Sequence, residues 1–270
     1  MKIAIAGAAG RMGQMLIRQI AATKGCSLAG AIEGPSSNAL GRDAGEVAGV
    51  GADVKSVRGI KIVSDSAAAI GAANVVIDFT VPAATVAHAK IAADKGVAMV
   101  IGTTGLNPEQ TAAVHEAAKK VPILWAANMS LGVNILLALV EKTASMLDPS
   151  YDIEVLEMHH RHKIDAPSGT ALALGRAAAA GRKVKLEEVW RKSRDGHTGA
   201  RPAGEIGFAT LRGGEEVGVH TVMFAASGER LELNHRAFSR ETYASGAIRS
   251  ALWLKGKKPG LYGMKDVLGL

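Results

Sequence analysis

The sequence is poor in cysteine and in aromatic residues. It has one cysteine, Cys26, among 270 residues, and only 4% of its residues are Phe, Trp or Tyr. A single cysteine excludes an intrachain disulfide and a CxxC metal or redox pair, which favours a reducing compartment, and we expect the cytoplasm. Because aromatic rings are few, the core must be built mainly from Ala, Val, Ile and Leu, which pack helices closely against a parallel sheet.

Long apolar segments are also absent. No uninterrupted apolar run approaches the roughly 20 residues that cross a bilayer, and Arg11 interrupts the apolar start too early for the core of a signal peptide. We therefore expect neither membrane insertion nor export. Hydrophobic residues make up 48% and charged residues 21% of the chain, a globular composition. A length of 270 residues favours two units over one.

The chain carries a formal net charge of +7. Its Lys and Arg residues are mostly interspersed with acids and lack the interleaved aromatics that stack on bases, so we expect no nucleic-acid partner. A basic balance is equally typical of an enzyme that binds an anionic small molecule, or of a soluble protein that merely happens to be basic.

From residue 2 to about residue 128, short β-branched runs alternate with Ala-rich stretches. This pattern is typical of parallel strands joined by crossover helices. The predicted strands are 2–7, 27–33, 60–64, 74–80, 97–102 and 122–127, and the predicted helices are 11–22, 83–95 and 108–119. The pattern predicts an α/β fold that begins with a doubly wound unit.

A different pattern begins after Asn128. The predicted elements are a helix over 133–147, a strand over 152–160, a helix over 168–180, strands near 205–212, 216–225 and 229–237, and a helix over 244–255. Gly213-Gly214 and Ser227-Gly228 separate the last three strands as short turns, so we expect consecutive strands to pair antiparallel. The second unit is thus predicted to be an open sheet with helices on one face.

A glycine-rich turn follows the first strand directly. Gly7, Gly10 and Gly13 form a G-x-x-G-x-x-G variant of the dinucleotide fingerprint, with Ala9 where the usual middle glycine lies. Between a strand and a helix, backbone N–H groups of such a turn can approach a pyrophosphate. A glycine turn that only joins a strand to a helix is the alternative.

Glu33 ends the second predicted strand, 20 residues beyond Gly13. An acid at this position can accept hydrogen bonds from an adenosine ribose, although an exposed acid at a strand end would look the same. Gly34 follows it, so no adjacent Arg or Lys is present to hold a 2′-phosphate. We therefore hypothesise that NADH is used at least as well as NADPH.

Two further loops follow predicted strands. They are Gly102-Thr103-Thr104-Gly105 and Ala126-Ala127-Asn128-Met129-Ser130. Ligands of open α/β sheets collect at the carboxyl ends of strands, and small residues there permit close approach of a nicotinamide ring. Their amides and hydroxyls could fix its carboxamide, while ordinary tight loops are the alternative.

Five consecutive cationic or titratable residues, His159 to Lys163, lie at the end of the predicted strand over 152–160. Such side chains repel each other and need anions nearby, which a negatively charged ligand would supply. Residues 159 and 163 share a face in a strand or a helix, so one could bind or transfer a proton beside the other. Ser168-Gly169-Thr170 begins a helix, where N–H groups and hydroxyls make a carboxylate pocket.

The basic cluster of residues 159–163 and the helix start at residues 168–170 together suit a small-molecule dicarboxylate. A metal site is one alternative, but no Asp, Glu or Cys joins the histidines at a characteristic close spacing, so we expect no metal. A solvated charge run and an RNA-binding strip are the others.

These motifs resemble one family, the 4-hydroxy-tetrahydrodipicolinate (dihydrodipicolinate) reductases of diaminopimelate and lysine biosynthesis. The resemblance is carried by GAAGRMG, Glu33, VIDFT, IGTTG, AANMSLGVN, EMHHRHKIDAPSGTAL, GEIGFATLRGG and ASGAIRSALWL, which span nearly the whole chain. It implies an N-terminal Rossmann dinucleotide-binding domain over 1–130, completed by 240–270. It also implies an α+β substrate-binding and tetramerisation domain over 131–239, a homotetramer, and hydride transfer from NADH or NADPH.

The resemblance further implies roles for individual residues. His159 would donate or accept a proton and Lys163 would donate one, while His160, Gly169 and Thr170 would contact the substrate carboxylates. The implied cofactor contacts are Gly7, Ala8, Ala9, Gly10, Arg11, Met12, Glu33, Gly102, Thr103, Thr104, Ala126, Ala127, Asn128 and Met129. The family's common Arg after the ribose acid is Gly34 in this chain.

Two other functions are alternatives. A different two-domain dehydrogenase, such as one acting on an amino-acid semialdehyde, requires a thiol nucleophile or another substrate cluster, and Cys26 lies in the wrong place for that. A dinucleotide-sensing regulator or nucleic-acid binder could keep the fold without catalysis, and salt-dependent DNA binding without NADH oxidation would favour it.

Overall fold

The computed structural model describes residues 1–270 and divides into two compact units. Unit 1 contains residues Met1–Ser130 and Glu241–Leu270, and unit 2 contains Leu131–Arg240. The strands are β1 (Lys2–Ala6), β2 (Ser27–Ile32), β3 (Ile62–Val63), β4 (Val75–Asp78), β5 (Ala98–Ile101), β6 (Pro122–Trp125), β7 (Asp152–His159), β8 (Trp190–Arg191), β9 (Ile206–Arg212), β10 (Gly218–Ala226), β11 (Glu229–Ala237) and β12 (Gly260–Tyr262). The helices are α1 (Arg11–Ala22), α2 (Ala44–Val47), α3 (Ser66–Gly71), α4 (Pro82–Lys95), α5 (Pro108–Ala118), α6 (Leu131–Met146), α7 (Gly169–Gly181), α8 (Leu186–Val189), α9 (Glu241–Trp253) and α10 (Met264–Leu268).

Unit 1 is built on a seven-stranded sheet in the order β12-β6-β5-β4-β1-β2-β3, and every neighbouring pair is parallel. All four residues of β4, Val-Val-Ile-Asp, are buried, as expected where helices cover both faces. The strand order reverses direction at β1, which confirms the predicted doubly wound α/β fold. The carboxyl end of β1 therefore lies at the switch point where such sheets bind ligands.

Helix ends in unit 1 follow local signals. Asn107 caps α5 by accepting a hydrogen bond from the Gln110 N–H, and Pro108 occupies the first helical position. The predicted strand over 60–64 is reduced to Ile62–Val63, and the short helix α3 and strand β12 escaped prediction because they span too few residues for periodicity to show. β12 extends the sheet by pairing with β6.

Unit 2 is built on a mixed sheet in the order β11-β10-β7-β9-β8. β7 runs parallel to β9 and antiparallel to β10. Helices α6 and α7 cover one face and share its core with apolar residues of β7, β9 and β10, including Val155, Phe208 and Phe224. The predicted open mixed sheet is confirmed.

The predicted antiparallel pairing of the strands near 205–212 and 216–225 is wrong. β7 lies between β9 and β10 and pairs with both. The Gly213-Gly214 signal does mark a turn, but this turn crosses the end of β7: the Gly213 N–H donates to the His159 carbonyl (3.0 Å), and the His160 N–H donates to the Glu216 carbonyl (2.7 Å). Residues 213–216 therefore cover the strand end that carries the basic cluster.

No helix of the structure is both long and apolar enough to cross a bilayer.

Candidate active site

The glycine turn after β1 is held against the end of β2. The N–H groups of Gly7 and Ala8 donate to the Ile32 carbonyl (2.9 and 3.0 Å). Gly7 has φ +76°, a conformation that side chains other than glycine rarely adopt. At Gly13 a Cβ atom would overlap the Gly7 carbonyl and lie 2.7 Å from the Ala8 Cα. The tight turn therefore depends on glycine at both ends.

The first turn of α1 provides the unpaired N–H groups of this site. All four amides of residues 7–10 donate within the protein, whereas those of residues 11–13 have no protein partner. Gly10, the N-cap, has no side chain to cap them. Unpaired amides at a helix N-terminus bind anionic groups, so residues 7–10 shape the turn and residues 11–13 supply its donors. This arrangement fits the pyrophosphate of a dinucleotide.

Glu33 is fixed in place by backbone groups. Its Oε1 accepts a hydrogen bond from the Ala9 N–H (2.8 Å) and its Oε2 accepts one from the Gly34 N–H (3.3 Å). A carboxylate retains further lone pairs, so these bonds orient Glu33 without exhausting it. The structure thus places the predicted ribose acid directly beside the glycine turn. Space is open around Gly34, where a Cβ atom would meet nothing within 4 Å.

The two further loops line one cavity of about 250 Å³. Its walls are Thr103, Thr104, Gly105, Leu106, Trp125, Ala126 and Ala127. The Trp125 indole N–H donates to the Thr103 carbonyl (3.1 Å) and ties the two loops together. Met129 is buried and is not part of the cavity wall.

A buried carboxylate that we had given no role organises this end of the sheet. Asp78 is fully buried, and its Oδ1 accepts hydrogen bonds from the hydroxyl groups of Thr80, Thr85 and Thr103. Its Oδ2 pairs with His88 Nδ1 (2.7 Å). Burial alone would raise the pKa of Asp78, but the hydrogen bonds from His88 and Thr80 outweigh it and lower that pKa. Asp78 thereby connects the loops that follow β4 and β5.

Replacing Gly13 with alanine is expected to disrupt the glycine turn. The new methyl group has no space against the Gly7 carbonyl, and we expect a loss of about 3 kcal/mol in the free energy of unfolding, together with weaker NADH binding. Urea denaturation and fluorescence titration with NADH would measure both. The Gly34→Ala variant, whose methyl group meets open space, is the control for stability. Equal stability of the two variants would contradict the steric argument.

In unit 2, β7 directs an acid and a histidine into the protein. Residues 153, 155, 157 and 159 are the buried positions of this strand. Glu157 is 1% exposed, and its Oε2 lies 2.5 Å from His159 Nδ1. Arg212, at the end of β9, donates to both carboxylate oxygens (2.8 and 2.9 Å). Burial would raise the pKa of Glu157, but hydrogen bonds from His159, Arg212 and the Ser168 N–H lower it to about 2.

The rest of the basic cluster follows β7 as a turn. Arg161 and His162 are exposed, while Lys163 is partly buried and pairs with Asp165 (Nζ to Oδ1, 2.8 Å). The Lys163 N–H donates to the His160 carbonyl, so the segment is neither strand nor helix, and the predicted shared face of residues 159 and 163 is wrong. The nearest anions of the cluster are the protein's own Glu157 and Asp165.

His160 lies against a residue that the sequence had not indicated. Its Nε2 is 3.2 Å from a guanidinium nitrogen of Arg240. Partial burial, followed by the positive charge of Arg240, lowers the pKa of His160. Arg240 is 80 residues away in sequence, so no local pattern could have joined the two.

The start of α7 differs in part from the prediction. Ser168 is buried, and its hydroxyl is used within the protein as the N-cap acceptor for the Ala171 N–H and as a partner of His220 Nε2. Ser168 therefore cannot serve a carboxylate. Gly169 and Thr170 form the first turn of α7 and lie at its more accessible N-terminal end.

His220 of β10 is a second buried histidine beside His159. It is 4% exposed, and the two rings meet edge to face with centroids 5.1 Å apart. Burial, followed by the nearby positive charge of His159, lowers the pKa of His220 to about 4, so His220 is neutral at physiological pH. In the sequence it was one histidine in an apolar strand, with no motif around it.

Acidification is expected to destabilise the protein through His220. An unfolded histidine titrates near pH 6.5, whereas folded His220 stays neutral until about pH 4. Between these values the unfolded chain binds the extra proton, so the free energy of unfolding should fall by about 3 kcal/mol as the pH decreases. Urea denaturation at pH 7 and pH 4 would measure it. The His220→Gln variant should lose this part of the pH dependence; an unchanged slope would exclude the assignment.

Several residues of the site were missed although a signal existed for one of them. Glu157 occupies a position of β7 that alternates with Ile153 and Val155 on the buried face. A carboxylate at a core position of a strand requires a buried partner. His159 lies two residues further along the strand, on the same face, and is therefore the expected partner. For Arg212 and Arg240 the sequence offers no comparable signal. The structure contains no group of three or more His, Cys, Asp or Glu side chains arranged to hold a metal ion.

Unit 1 is a doubly wound sheet with a dinucleotide-type glycine turn, and unit 2 carries a buried histidine–carboxylate pair. Together these features define the class of two-domain nicotinamide-dependent oxidoreductases. The family model described as "Dihydrodipicolinate reductase, N-terminus" matches residues 1–129, and the one described as "Dihydrodipicolinate reductase, C-terminus" matches residues 132–268. The chain belongs to the dihydrodipicolinate reductase family and is an oxidoreductase.

Curated relatives agree over the full length. The 4-hydroxy-tetrahydrodipicolinate reductase of Rhodopseudomonas palustris (strain TIE-1) is 51% identical over 270 residues, covering 100% of this chain and 98% of the relative. The enzyme of the same name from Bradyrhizobium diazoefficiens is 53% identical with the same coverage.

Solved structures share the fold. The dipicolinate-bound dihydrodipicolinate reductase from Paenisporosarcina sp. TG-14 superposes with a TM-score of 0.74 at 22% identity and covers 98% of each chain. An amine dehydrogenase from Mycobacterium smegmatis has a TM-score of 0.63 at 14% identity, covering 96% of this chain and 94% of its own. At these identities the likeness concerns the fold alone.

Proposed function

We propose that the chain reduces 4-hydroxy-tetrahydrodipicolinate, through dihydrodipicolinate, to tetrahydrodipicolinate with NADH or NADPH, in the diaminopimelate and lysine pathway. The observation that carries this proposal is the buried pair of Glu157 and His159 at the head of a cluster that also contains His160, Lys163 and Arg240. Such a cluster suits an anionic ring that must be both held and protonated. The names of the full-length relatives support it.

We assign the cofactor to unit 1. The unpaired amides of residues 11–13 would receive the pyrophosphate and Glu33 would accept hydrogen bonds from the adenosine ribose. Thr103, Thr104, Ala126 and Ala127, which line the cavity there, would hold the nicotinamide end together with Asn128 and Met129 of the same loop. A bound nicotinamide cofactor supplies the hydride.

We assign the substrate carboxylates to unit 2. His160 and Arg240 would face one anionic group, and Gly169 and Thr170, at the start of α7, would bind the other through the helix N-terminus. Cationic groups in these positions would also stabilise the negative charge that builds toward the ring nitrogen and carboxylates as the conjugated ring is reduced.

We assign the proton transfer to His159 and Lys163. His159 Nδ1 is engaged by Glu157, which leaves Nε2 as the nitrogen that can exchange a proton with a ligand. Lys163 carries its proton on a flexible chain, and its ion pair with Asp165 is partly exposed, so Nζ can turn from Asp165 to a substrate atom at small cost. Either group could quench the developing charge.

NADH should serve at least as well as NADPH. Glu33 is fixed beside the glycine turn, and its negative charge disfavours a 2′-phosphate. Gly34 offers no compensating cation. The single cysteine, Cys26, is buried and unpaired, which supports a cytoplasmic location.

We further propose a homotetramer assembled through the open face of the unit 2 sheet. The face opposite α6 and α7 presents partly exposed apolar side chains, among them Leu156, Met158 and Met223. Leu211 of β9 is 49% exposed on the same sheet. An apolar sheet face of this kind is typical of an association surface. Light scattering should give four times the mass of the 27.8 kDa chain, and a monomer would contradict this part of the proposal.

The function is tested by NADH oxidation when the condensation product of pyruvate and aspartate semialdehyde is generated in the cuvette. We expect oxidation that depends on both precursors and on the enzyme that condenses them. NADH oxidation with aspartate semialdehyde alone would favour a semialdehyde-type dehydrogenase. Absence of any oxidation, together with salt-sensitive DNA binding, would favour a dinucleotide-sensing regulator.

A further inference from the structure

We infer that Glu157 is the positioning residue of the unit 2 site: one buried carboxylate fixes both the ring of His159 and the start of α7. The inference rests on the proposed role of His159 in proton transfer. It concerns a residue that does not itself need to touch the substrate, because its effect is exerted through His159 and Ser168.

The carboxylate of Glu157 accepts four hydrogen bonds. Oε1 accepts from the Ser168 N–H (3.0 Å) and from one Arg212 nitrogen (2.9 Å). Oε2 is engaged by His159 Nδ1 (2.5 Å) and by the other Arg212 nitrogen (2.8 Å). Each oxygen thus has two partners, so the carboxylate cannot rotate without losing bonds to three different elements. The carboxylate therefore fixes the position of the His159 imidazole relative to the first turn of α7.

The bond to Glu157 selects the proton arrangement of His159. An ionised carboxylate only accepts hydrogen bonds, so Nδ1 carries a proton and Nε2 is the ring nitrogen left to a ligand. Nε2 has no partner within the protein. On its other side lies Gly218, where a Cβ atom would be 3.1 Å from Nε2. The ring is thus bounded by Glu157 on one side and by a residue without a side chain on the other.

Arg212 also connects Glu157 to the loop that carries Lys163. Besides binding Glu157 through both nitrogens, it donates to the Asp165 carbonyl (2.6 Å). A bidentate guanidinium keeps a buried carboxylate ionised and restricts its geometry. The single pair of Glu157 and Arg212 therefore relates His159, the loop of residues 160–167 and the start of α7 to one another.

Apart from Glu157, and from Asp165, which pairs with Lys163, the charged or titratable groups around His159 are cationic or neutral. They are His220 from β10, Arg212 from β9, and His160 and Lys163 from the segment after β7. Loss of the Glu157 charge, which is in direct contact with the ring, disfavours a positive charge on it. The limb of the kcat–pH profile that reports the acid form should then move to lower pH.

The test compares Glu157→Gln with Glu154→Gln. Glu154 lies on the same strand but on its opposite face, and it also binds arginine through both oxygens, accepting from Arg194 (2.9 and 2.9 Å). The readouts are the kcat–pH profile, the nitrogen NMR signature of the His159 tautomer, and the affinities for NADH and for dipicolinate. NADH affinity reports on whether unit 1 is intact.

We expect Glu157→Gln to lower kcat by about 10²-fold and to move the limb of the kcat–pH profile to lower pH. His159 should no longer be held in the Nδ1–H tautomer, and the affinity for NADH should be unchanged. Glu154→Gln should keep the wild-type profile and tautomer. A wild-type profile and tautomer in Glu157→Gln would overturn the inference. If that variant fails to fold, Glu157→Asp replaces it: the retained charge should preserve the pH limb while the shorter chain lowers kcat, and wild-type kcat would overturn the inference.

Failure of the proposed function and failure of the positioning role of Glu157 would give different results. Near-normal turnover of His159→Asn would remove His159 from proton transfer, whereas the NMR signature in Glu157→Gln would still decide whether Glu157 fixes the tautomer. Loss of turnover in His159→Asn with a wild-type tautomer and profile in Glu157→Gln would overturn only the positioning role.

Discussion

Replacing Lys163 with alanine is expected to lower kcat by about 10²-fold or more while the protein remains folded. Lys163 has one ion pair, with Asp165, and this pair is partly exposed, so we expect little loss of stability. The removed ammonium would otherwise donate the proton that quenches charge on the reduced ring. Because that charge develops only in the transition state, kcat should fall more than KM rises.

The matched control is Lys185→Ala. Lys185 also belongs to unit 2 and also pairs with an acid, Glu188, at 3.7 Å. It precedes the short helix α8 and lies outside the cluster of residues 159–163. Stopped-flow and steady-state kinetics on both variants, with circular dichroism to verify folding, would decide the matter. Near-normal turnover of Lys163→Ala would exclude the proposed role of this residue.

Replacing Gly34 with arginine is expected to shift cofactor choice toward NADPH by about 10- to 100-fold in the ratio of kcat/KM values. The side chain would enter open space beside Glu33, from where a guanidinium can pair with a 2′-phosphate. The wild-type protein should use NADH at least as well as NADPH. Gly34→Gln adds a similar length without charge and should leave the ratio nearly unchanged.

Two results would count against this assignment. A much higher kcat/KM of the wild-type protein with NADPH would contradict the interpretation of Glu33 and Gly34. An unchanged ratio in Gly34→Arg would show that the 2′-position lies elsewhere in the loaded enzyme.

The parallel sheet of unit 1 could be predicted because its information is local. Each strand is a short apolar run, each helix follows it directly, and crossover connections leave few alternative topologies. The position of β7 in unit 2 could not be predicted in the same way. A Gly213-Gly214 turn specifies that the chain reverses, but it does not specify that β7, a strand much earlier in the chain, pairs with the strands on both sides of the reversal.

The candidate site shows the same division. The glycine turn, Glu33 and the loops 102–105 and 126–130 could be found from their positions after strands, and the structure does bring the two loops to one cavity. The sequence could not show which amides of the glycine turn remain unpaired. The N–H groups of Gly7 and Ala8 are occupied by the Ile32 carbonyl, and no motif indicates this. Likewise, the sequence displayed the cations of residues 159–163, whereas the arginines that organise them are distant in sequence.

A structure determined from crystals of the protein soaked with dipicolinate tests the proposed substrate site most directly. We predict that one carboxylate contacts His160 and Arg240 and the other contacts the first turn of α7 at Gly169 and Thr170. His159 Nε2 and Lys163 Nζ should then be the titratable groups nearest the ring. Dipicolinate bound away from His159 and His160 would contradict the proposed substrate site.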